Sequence, residues 1–359
     1  MINVTQTFLP PQEEYQAILK SAWTSKWLTN RGVLVKELEK KLKDYLGVKH
    51  LTLTTNGTLP IQIGIKALEL KGEIITTPFS YVATTSSIVW EGCTPVFVDI
   101  HPEYLTIDEE KIEEKITEKT TAILAVHVFG NPCNVEAIEK IAKKHKLKVI
   151  YDAAHCFGVK YKGKSIFSYG DISTCSFHAT KIFHTGEGGC WITNNDHQDK
   201  LFYHHNLGHD GPEAFHGLGI NAKMSELQAA MGLAVFNHLD EILEGRKKVV
   251  EHYNEYLFNA PLQKLKIRAG TEWNYHYYPV IFKTEKQLLK VQKELNAQDI
   301  YPRRYFYPSL NTLPYVQNQL FEVSQSISNR VLCLPLFVNL DERNIKKISK
   351  TIKNIIEQG

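Results

Sequence analysis

Two side chains that can do cofactor chemistry stand at the ends of separate apolar runs. Asp152 closes the run KVIYD, and Lys181 follows the run STCSF in the turn HATK. If both runs are parallel strands, the two side chains meet at the carboxyl edge of the sheet, where α/β proteins bind ligands. A lysine kept from bulk water there can form an imine, and a carboxylate can hold a protonated ring nitrogen. Taken alone, Asp152 can equally cap the next helix, and Lys181 can be a surface charge.

A third segment offers a place for a phosphate group. Residues 55–58, TNGT, lie between the run HLTLT and the helical pattern PIQIGIKALEL. A helix amino terminus presents free N–H groups to an anion, and a glycine lets the backbone approach it closely. Gly57, Thr58 and Ser176 can therefore lie on one phosphate, although such a turn is also a common helix start. Together with Asp152 and Lys181, this segment indicates pyridoxal 5′-phosphate as the cofactor.

The surrounding pattern predicts the elements that position these residues. Apolar, β-branched runs alternate with helical patterns through the first two thirds of the chain, which is typical of a mostly parallel sheet covered on both faces. A long helical pattern from Ser225 to about Leu257 is expected to link this part to a smaller α+β domain. The predicted fold class is α/β, with a large domain at residues 1–240 and a small C-terminal domain at 241–359.

Composition excludes several other classes of protein. The 42 basic and 39 acidic residues give a net charge of +3 without a dense basic run, so we do not expect nucleic acid as a partner. The six cysteines form no CxxC pair, and no short Cys/His cluster indicates a metal. No apolar run approaches the roughly 20 residues that span a bilayer, so we expect no membrane contact and a cytoplasmic location.

The motifs taken together resemble those of one family. TTNGT, TPFSYVAT, YDAAH, SFHATK, GEGG and GINAKMSELQAAMGL follow one another along the chain. This order is similar to that of the DegT/DnrJ/EryC1/StrS family of sugar aminotransferases, over nearly the whole chain and most specifically from about residue 25 to 240. The resemblance implies the fold type I architecture of pyridoxal-phosphate-dependent aminotransferases, with a large domain built on a mixed sheet and a smaller C-terminal domain.

The resemblance also implies roles for single residues. Lys181 would be the catalytic residue that forms the Schiff base, and Asp152 would bind the pyridine nitrogen. Tyr81, in TPFSYVAT, stands where the family stacks an aromatic ring on the cofactor. His155, in YDAAH, stands where the family places a His or Gln near the phenolic oxygen of the cofactor.

The remaining cofactor contacts involve the phosphate. Ser176, Gly57 and Thr58 would hold it within one subunit, and Asn221 would reach the phosphate of the neighbouring subunit's cofactor. A homodimer with shared active sites is thus implied.

Structural roles remain open for several of these side chains. Tyr81 can be a core aromatic, and His155 and His178 can be core histidines. Asn221 can be a helix cap or a turn residue. Glu187, in GEGG, is assigned no chemistry.

The resemblance narrows the reaction further than the residues do. It implies L-glutamate as amino donor and a nucleotide-linked keto-sugar as acceptor. The FHATK-x-FHT form of the lysine motif and the segment RRYFYPSL are similar to enzymes that aminate dTDP-4-keto-6-deoxy-D-glucose at C4 for surface polysaccharides such as the O-antigen. Amination at C3 of a dTDP-3-keto-6-deoxyhexose, UDP- or GDP-linked sugars, dehydration at C3, and cofactor binding without turnover stay open. The candidate substrate contacts are Asn30, Arg31, Arg303, Arg304, Tyr305 and Tyr307.

Overall fold

A computed structural model describes residues 1–357. The principal sheet has seven strands: β1 (His50–Thr54), β2 (Glu73–Thr76), β3 (Thr94–Phe97), β4 (Thr120–Val126), β5 (Lys148–Asp152), β6 (Ile172–Ser176) and β7 (Gly189–Thr193). Their order across the sheet is β1-β7-β6-β5-β4-β2-β3, and only β7 runs antiparallel to its neighbours. This mixed, mostly parallel sheet with helices against it confirms the predicted α/β class and brings the carboxyl ends of β5 and β6 to one edge.

Eleven α-helices of the described chain accompany the strands. They are α1 (Gln12–Ser25), α2 (Val33–Leu46), α3 (Leu59–Ala67), α4 (Val82–Trp90), α5 (Val135–His145), α6 (Gln198–His205), α7 (Glu226–Phe236), α8 (Leu239–Tyr256), α9 (Glu285–Asn296), α10 (Glu322–Arg330) and α11 (Glu342–Glu357). Helix α2 ends at Leu46, and Gly47 follows it in the left-handed conformation, at φ 62°, that glycine adopts without strain.

The long helix predicted from Ser225 to Leu257 is two helices. α7 ends at Phe236 and α8 begins at Leu239. His238, the second of the two residues between them, has a non-helical backbone (φ −112°, ψ 14°), and its imidazole Nε2 lies 3.1 Å from the Glu14 carboxylate. This tertiary contact stabilises the break, which the apolar spacing on either side does not reveal.

Residues after the break form a second apolar core. Strands β8 (Gln263–Lys264), β9 (Tyr278–Ile281) and β10 (Val331–Leu334) pair antiparallel in the order β8-β9-β10. Helices α8, α9 and α11 pack their apolar sides into the same cluster, which runs from Val249 to Ile355. The boundary between residues 1–240 and 241–359 stays a prediction, and residues 358 and 359 lie outside the described chain.

No helix within residues 1–357 is both long and apolar enough to cross a membrane.

Candidate active site

A cavity of about 640 Å³ opens at the carboxyl edge of the principal sheet. One side is built from the turns after β1, β5 and β6 and from the start of α4. The other side comes from the C-terminal part of the chain, which contributes Tyr277, Arg303, Tyr305 and Phe306. The cavity thus lies between the large sheet and residues that follow the α7–α8 break.

Asp152 ends β5 and lies at the bottom of this cavity. Its side chain is buried, and each carboxylate oxygen accepts one hydrogen bond: Oδ2 from the Thr84 hydroxyl at 2.6 Å and Oδ1 from the Ala154 N–H at 3.1 Å. Burial raises the pKa of Asp152 above its usual range, while these two donors and the charge of Lys181 oppose the rise. The site therefore contains a carboxylate that is fixed in orientation, and a nearby positive charge would stabilise its ionised form.

Lys181 lies in the turn between β6 and β7. The turn is held by backbone hydrogen bonds, from Lys181 N–H to His178 O at 2.8 Å and from Ala179 N–H to Gly186 O at 2.7 Å. Burial lowers the pKa of Lys181 to about 8, and the charge of Asp152 works against that shift. An amine with this pKa is partly neutral near pH 7 and can act as a nucleophile, unlike an ordinary surface lysine.

The predicted phosphate residues lie side by side. Gly57, Thr58 and Ser176 all line the cavity, and a Cβ on Gly57 would lie 2.6 Å from Ser176 Cβ, so only glycine allows this approach. One expectation was wrong, because the N–H groups of Thr58 and Leu59 are not free: both donate to Asn56 Oδ1 at 2.9 Å. An anion that used these two N–H groups would have to share them with Asn56 or displace its amide.

His155 is buried beside the cavity in a defined tautomer. Its Nδ1 accepts the Phe129 N–H at 3.2 Å, so the ring hydrogen of the neutral form is on Nε2. Burial and the charge of Lys181 hold the pKa of His155 well below its usual range. Its ring stacks on that of His276, with centroids 4.7 Å apart. His155 is therefore a neutral hydrogen-bond donor.

Tyr81 is not the core aromatic that the segment alone allows. It precedes α4, lines the cavity and is 59% exposed. An aromatic face open to the cavity is suited to a planar ligand.

Three further side chains line the cavity although no role was predicted for them. His178 is not a core histidine: its Nδ1 lies 2.8 Å from Thr180 Oγ1 and its Nε2 lies 3.7 Å from Glu187 Oε1. Both His178 and Glu187 face the cavity, and their closeness to Lys181 in sequence was the available signal. Tyr277 immediately precedes β9, far along the chain from Lys181, and no local sequence pattern marks it as a site residue.

The candidate substrate residues of the C-terminal part separate into two pairs. Arg303 and Tyr305 line the cavity. Arg304 lies elsewhere, because its guanidinium donates to Glu285 Oε1 at 2.6 Å and to Asn329 O at 3.1 Å, with Tyr307 stacked 3.5 Å from it. Arg304 and Tyr307 are therefore engaged with each other and with α9 and α10, away from the cavity.

Asn30 and Arg31 lie at a different cavity, of about 700 Å³. The Arg31 guanidinium donates through two nitrogens to Glu39 Oε2, at 2.9 and 2.7 Å, and so has a structural partner of its own. Asn221 is exposed and bridges Asn206 through its backbone. These three predicted contacts do not line the cavity that holds Lys181 in the same chain.

The residues that line the cavity fit pyridoxal phosphate. Asp152 suits the ring nitrogen, Lys181 the aldehyde, His155 the phenolic oxygen and Tyr81 the ring face. Gly57, Thr58 and Ser176 line the same cavity and suit the phosphate. Within the described chain, no group of three or more His, Cys, Asp or Glu side chains is arranged to hold a metal ion.

Comparison with solved structures identifies the class. The chain superposes on DesI, crystallised in the presence of its TDP-sugar product, with a TM-score of 0.94 and 30% identity, covering 100% of this chain and 93% of that one. It also superposes on PseC of Helicobacter pylori, an aminotransferase, with a TM-score of 0.91 and 25% identity, covering 100% of each chain, so the fold is that of an aminotransferase. Residues 11–353 match the model of the DegT/DnrJ/EryC1/StrS aminotransferase family, and the chain belongs to that family.

Two relatives with assigned names align with nearly the whole chain. The chain is 41% identical to dTDP-4-amino-4,6-dideoxy-D-glucose transaminase of Shigella dysenteriae, with 99% of each chain aligned. It is 33% identical to GDP-perosamine synthase of Vibrio cholerae, again with 99% of each chain aligned.

Proposed function

We propose that the protein is a pyridoxal-phosphate-dependent aminotransferase that moves the amino group of L-glutamate to C4 of dTDP-4-keto-6-deoxy-D-glucose. The product would be dTDP-4-amino-4,6-dideoxy-D-glucose, a precursor for surface polysaccharide. The observation that carries the proposal is that Lys181 and the buried Asp152 line one cavity, with the Lys181 pKa lowered to about 8. Dehydrases of the same family carry histidine in place of this lysine, so Lys181 favours transamination.

The cofactor would be held by residues of the cavity at each of its polar groups. Asp152 would bind the ring nitrogen, His155 Nε2–H would donate to the phenolic oxygen, and Gly57, Thr58 and Ser176 would surround the phosphate. Once bound, pyridoxal phosphate supplies an electron sink that stabilises negative charge on the carbon next to the imine.

Lys181 would perform the proton transfers. Its Nζ would hold the cofactor between turnovers, and in the first half-reaction the freed amine would take the proton from Cα of glutamate and pass it to the cofactor. In the second half-reaction Nζ would move a proton in the opposite direction, onto C4 of the sugar. Because burial keeps the amine partly neutral near pH 7, Lys181 can both accept and return this proton.

Arg303 is the cavity residue best suited to an anionic substrate. Its guanidinium lies over the Tyr305 ring, 5.1 Å from the centroid, which orients it at the cavity mouth. A guanidinium binds both a carboxylate and a diphosphate through paired N–H donors. Similarity to the Shigella enzyme supports the dTDP-linked C4 ketone, and the relation to a GDP-sugar enzyme makes the nucleotide the first variable to test.

Product analysis tests the substrate directly. The protein is incubated with pyridoxal phosphate, glutamate and, separately, dTDP-, UDP- and GDP-linked 4-keto and 3-keto sugars, and products are identified by NMR. We expect an amine at C4 of the dTDP sugar only. Amination of a 3-keto sugar alone would contradict the substrate, and a visible cofactor band that glutamate leaves unchanged would indicate binding without turnover. Lys181→Ala is the control for catalysis.

We further propose a homodimer in which Asn221 completes the neighbouring site. Support comes from the exposure of Asn221 and from its position outside the cavity of its own chain. Mixing a Lys181→Ala chain with an Asn221→Ala chain tests this arrangement. If Asn221 acts across the interface, random pairing leaves about one quarter of the sites with both residues intact, and activity reappears. If it acts within its own chain, no site has both and activity stays lost.

A further inference from the structure

A chain of hydrogen bonds runs from the cavity to the carboxylate of Asp152. The Thr84 hydroxyl lies 2.6 Å from Asp152 Oδ2, and the Ser80 hydroxyl lies 2.8 Å from Thr84 Oγ1. Ser80 and Thr84 are 2% and 0% exposed, and Ser80 lines the cavity. The chain therefore joins the cavity surface to the acid beneath it through two buried hydroxyl groups.

The direction of the hydrogen bonds follows from the chemistry of the groups. An ionised carboxylate only accepts, so Thr84 must use its single hydroxyl hydrogen on Asp152. Thr84 Oγ1 is then left as an acceptor, and Ser80 must be the donor to it. If Asp152 were protonated on Oδ2, this order would have to be reversed. An ionised Asp152 therefore fixes the order Ser80 to Thr84 to Asp152, in which each hydroxyl hydrogen has an acceptor.

Thr84 differs from other helical threonines of the same chain. Thr24 and Thr351 direct their hydroxyls to the carbonyl oxygen four residues earlier, at 2.9 and 3.0 Å, as threonine commonly does within a helix. Thr84 instead reaches a carboxylate 68 positions away. Its neighbour Thr85 is equally buried, but the Thr85 hydroxyl has no hydrogen-bond partner within the described chain. The contact of Thr84 is thus specific to Asp152 and is not a general property of α4.

We propose that Thr84, supported by Ser80, is a positioning residue that keeps Asp152 ionised and oriented, so that the ring nitrogen of the bound cofactor remains protonated. This inference rests on the proposed function. Burial alone disfavours the charge on Asp152, and a charge-assisted hydrogen bond to one oxygen offsets that cost. Ala154 N–H supplies the second donor, on Oδ1. Without Thr84, the proton shared with the ring nitrogen shifts toward the carboxylate.

The protonation state of the ring nitrogen can be measured without turnover. Apoprotein is reconstituted with pyridoxal phosphate labelled with ¹⁵N in the ring, and the ¹⁵N chemical shift is recorded by NMR. Four variants are compared with the parent: Thr84→Val, which removes the hydroxyl and keeps the shape; Thr84→Ser, which restores a hydroxyl; Ser80→Ala; and Thr85→Val as the matched control.

We expect the ring nitrogen to be protonated in the parent, in Thr84→Ser and in Thr85→Val. The Thr84→Val signal should move toward the neutral pyridine value, and Ser80→Ala should move it part of the way. The bleaching of the visible band by glutamate should slow by about 10- to 100-fold in Thr84→Val, since a hydrogen bond to a charged group is lost.

Three results separate failure of this inference from failure of the proposed function. A parent protein that binds no pyridoxal phosphate would refute the function itself. A parent that binds and reacts normally, with Thr84→Val matching Thr85→Val in chemical shift and in rate, would refute the role of Thr84. A slower Thr84→Val whose ring nitrogen stays protonated would reduce Thr84 to a packing residue, again against the proposal.

Discussion

Lys181 should capture pyridoxal phosphate at neutral pH far faster than an ordinary lysine. Covalent capture requires the neutral amine, and its fraction depends on the pKa, which burial lowers from 10.5 to about 8. At about pH 7.5 the neutral fraction is roughly one quarter at the lower pKa and roughly one in a thousand at the higher one. The structure therefore predicts an advantage of about 200-fold at that pH.

The assay mixes apoprotein with pyridoxal phosphate and follows the visible band from about pH 6 to pH 10. The capture rate should rise about tenfold per pH unit in acid and level off above about pH 8. Borohydride reduction followed by peptide mass analysis locates the attachment, and Lys181→Ala is the control for the other lysines.

Asp152→Asn provides the matched perturbation. The charge of Asp152 raises the pKa of Lys181 against the effect of burial. Removing it should lower that pKa and move the plateau to lower pH, while the amine stays in place. A rate that continues to climb tenfold per unit up to pH 10 would refute the lowered pKa, and an unchanged profile in Asp152→Asn would refute the coupling between the two charges.

Three further predictions concern single substitutions. Gly57→Ala should weaken pyridoxal phosphate binding about 10- to 100-fold, because its Cβ would lie 2.6 Å from Ser176 Cβ; Gly64→Ala, with 3.5 Å of clearance, should leave the measured Kd unchanged. Arg303→Gln should raise KM for the sugar nucleotide about 10- to 100-fold, whereas Arg304→Gln should not. Burial raises the folded-state pKa of Asp152, so its charge costs stability as pH rises through that pKa. Apoprotein with Asp152→Asn should thus melt at higher temperature at neutral pH, and the gain should vanish in acid.

The local parts of the site follow from the sequence. The apolar run that ends at Asp152 is a central strand, because a strand covered on both faces is apolar nearly throughout, and its end lies at the ligand-binding edge. The turn with Lys181 followed from the next such run. Glycine at position 57 was expected to let the backbone approach an anion, which stays a prediction; the close contact with Ser176 is a second reason for glycine that the sequence did not show.

The contacts between distant segments did not follow from the sequence. Thr84 and Asp152 are separated by 68 positions, and no periodicity in α4 distinguishes Thr84 from Thr85. Arg303 and Arg304 are adjacent and chemically identical, yet Glu285 on α9 draws only Arg304 away from the cavity. The hydrogen-bond partner of each side chain depends on which residue the folded chain brings near it, and that residue lies far away in the sequence.

Arg31 is a second case in which a contact with another residue of the chain decides where a predicted substrate residue lies. Family resemblance placed it near substrate, but Glu39 is 2% exposed and also accepts the Leu53 N–H at 3.2 Å. A carboxylate so deeply buried needs a cation, because an unpaired charge there costs several kcal/mol. Arg31 supplies it through two hydrogen bonds to one oxygen. Moving the guanidinium to a ligand in the same chain would leave Glu39 unpaired, so the local balance of charge holds Arg31 against Glu39 of α2.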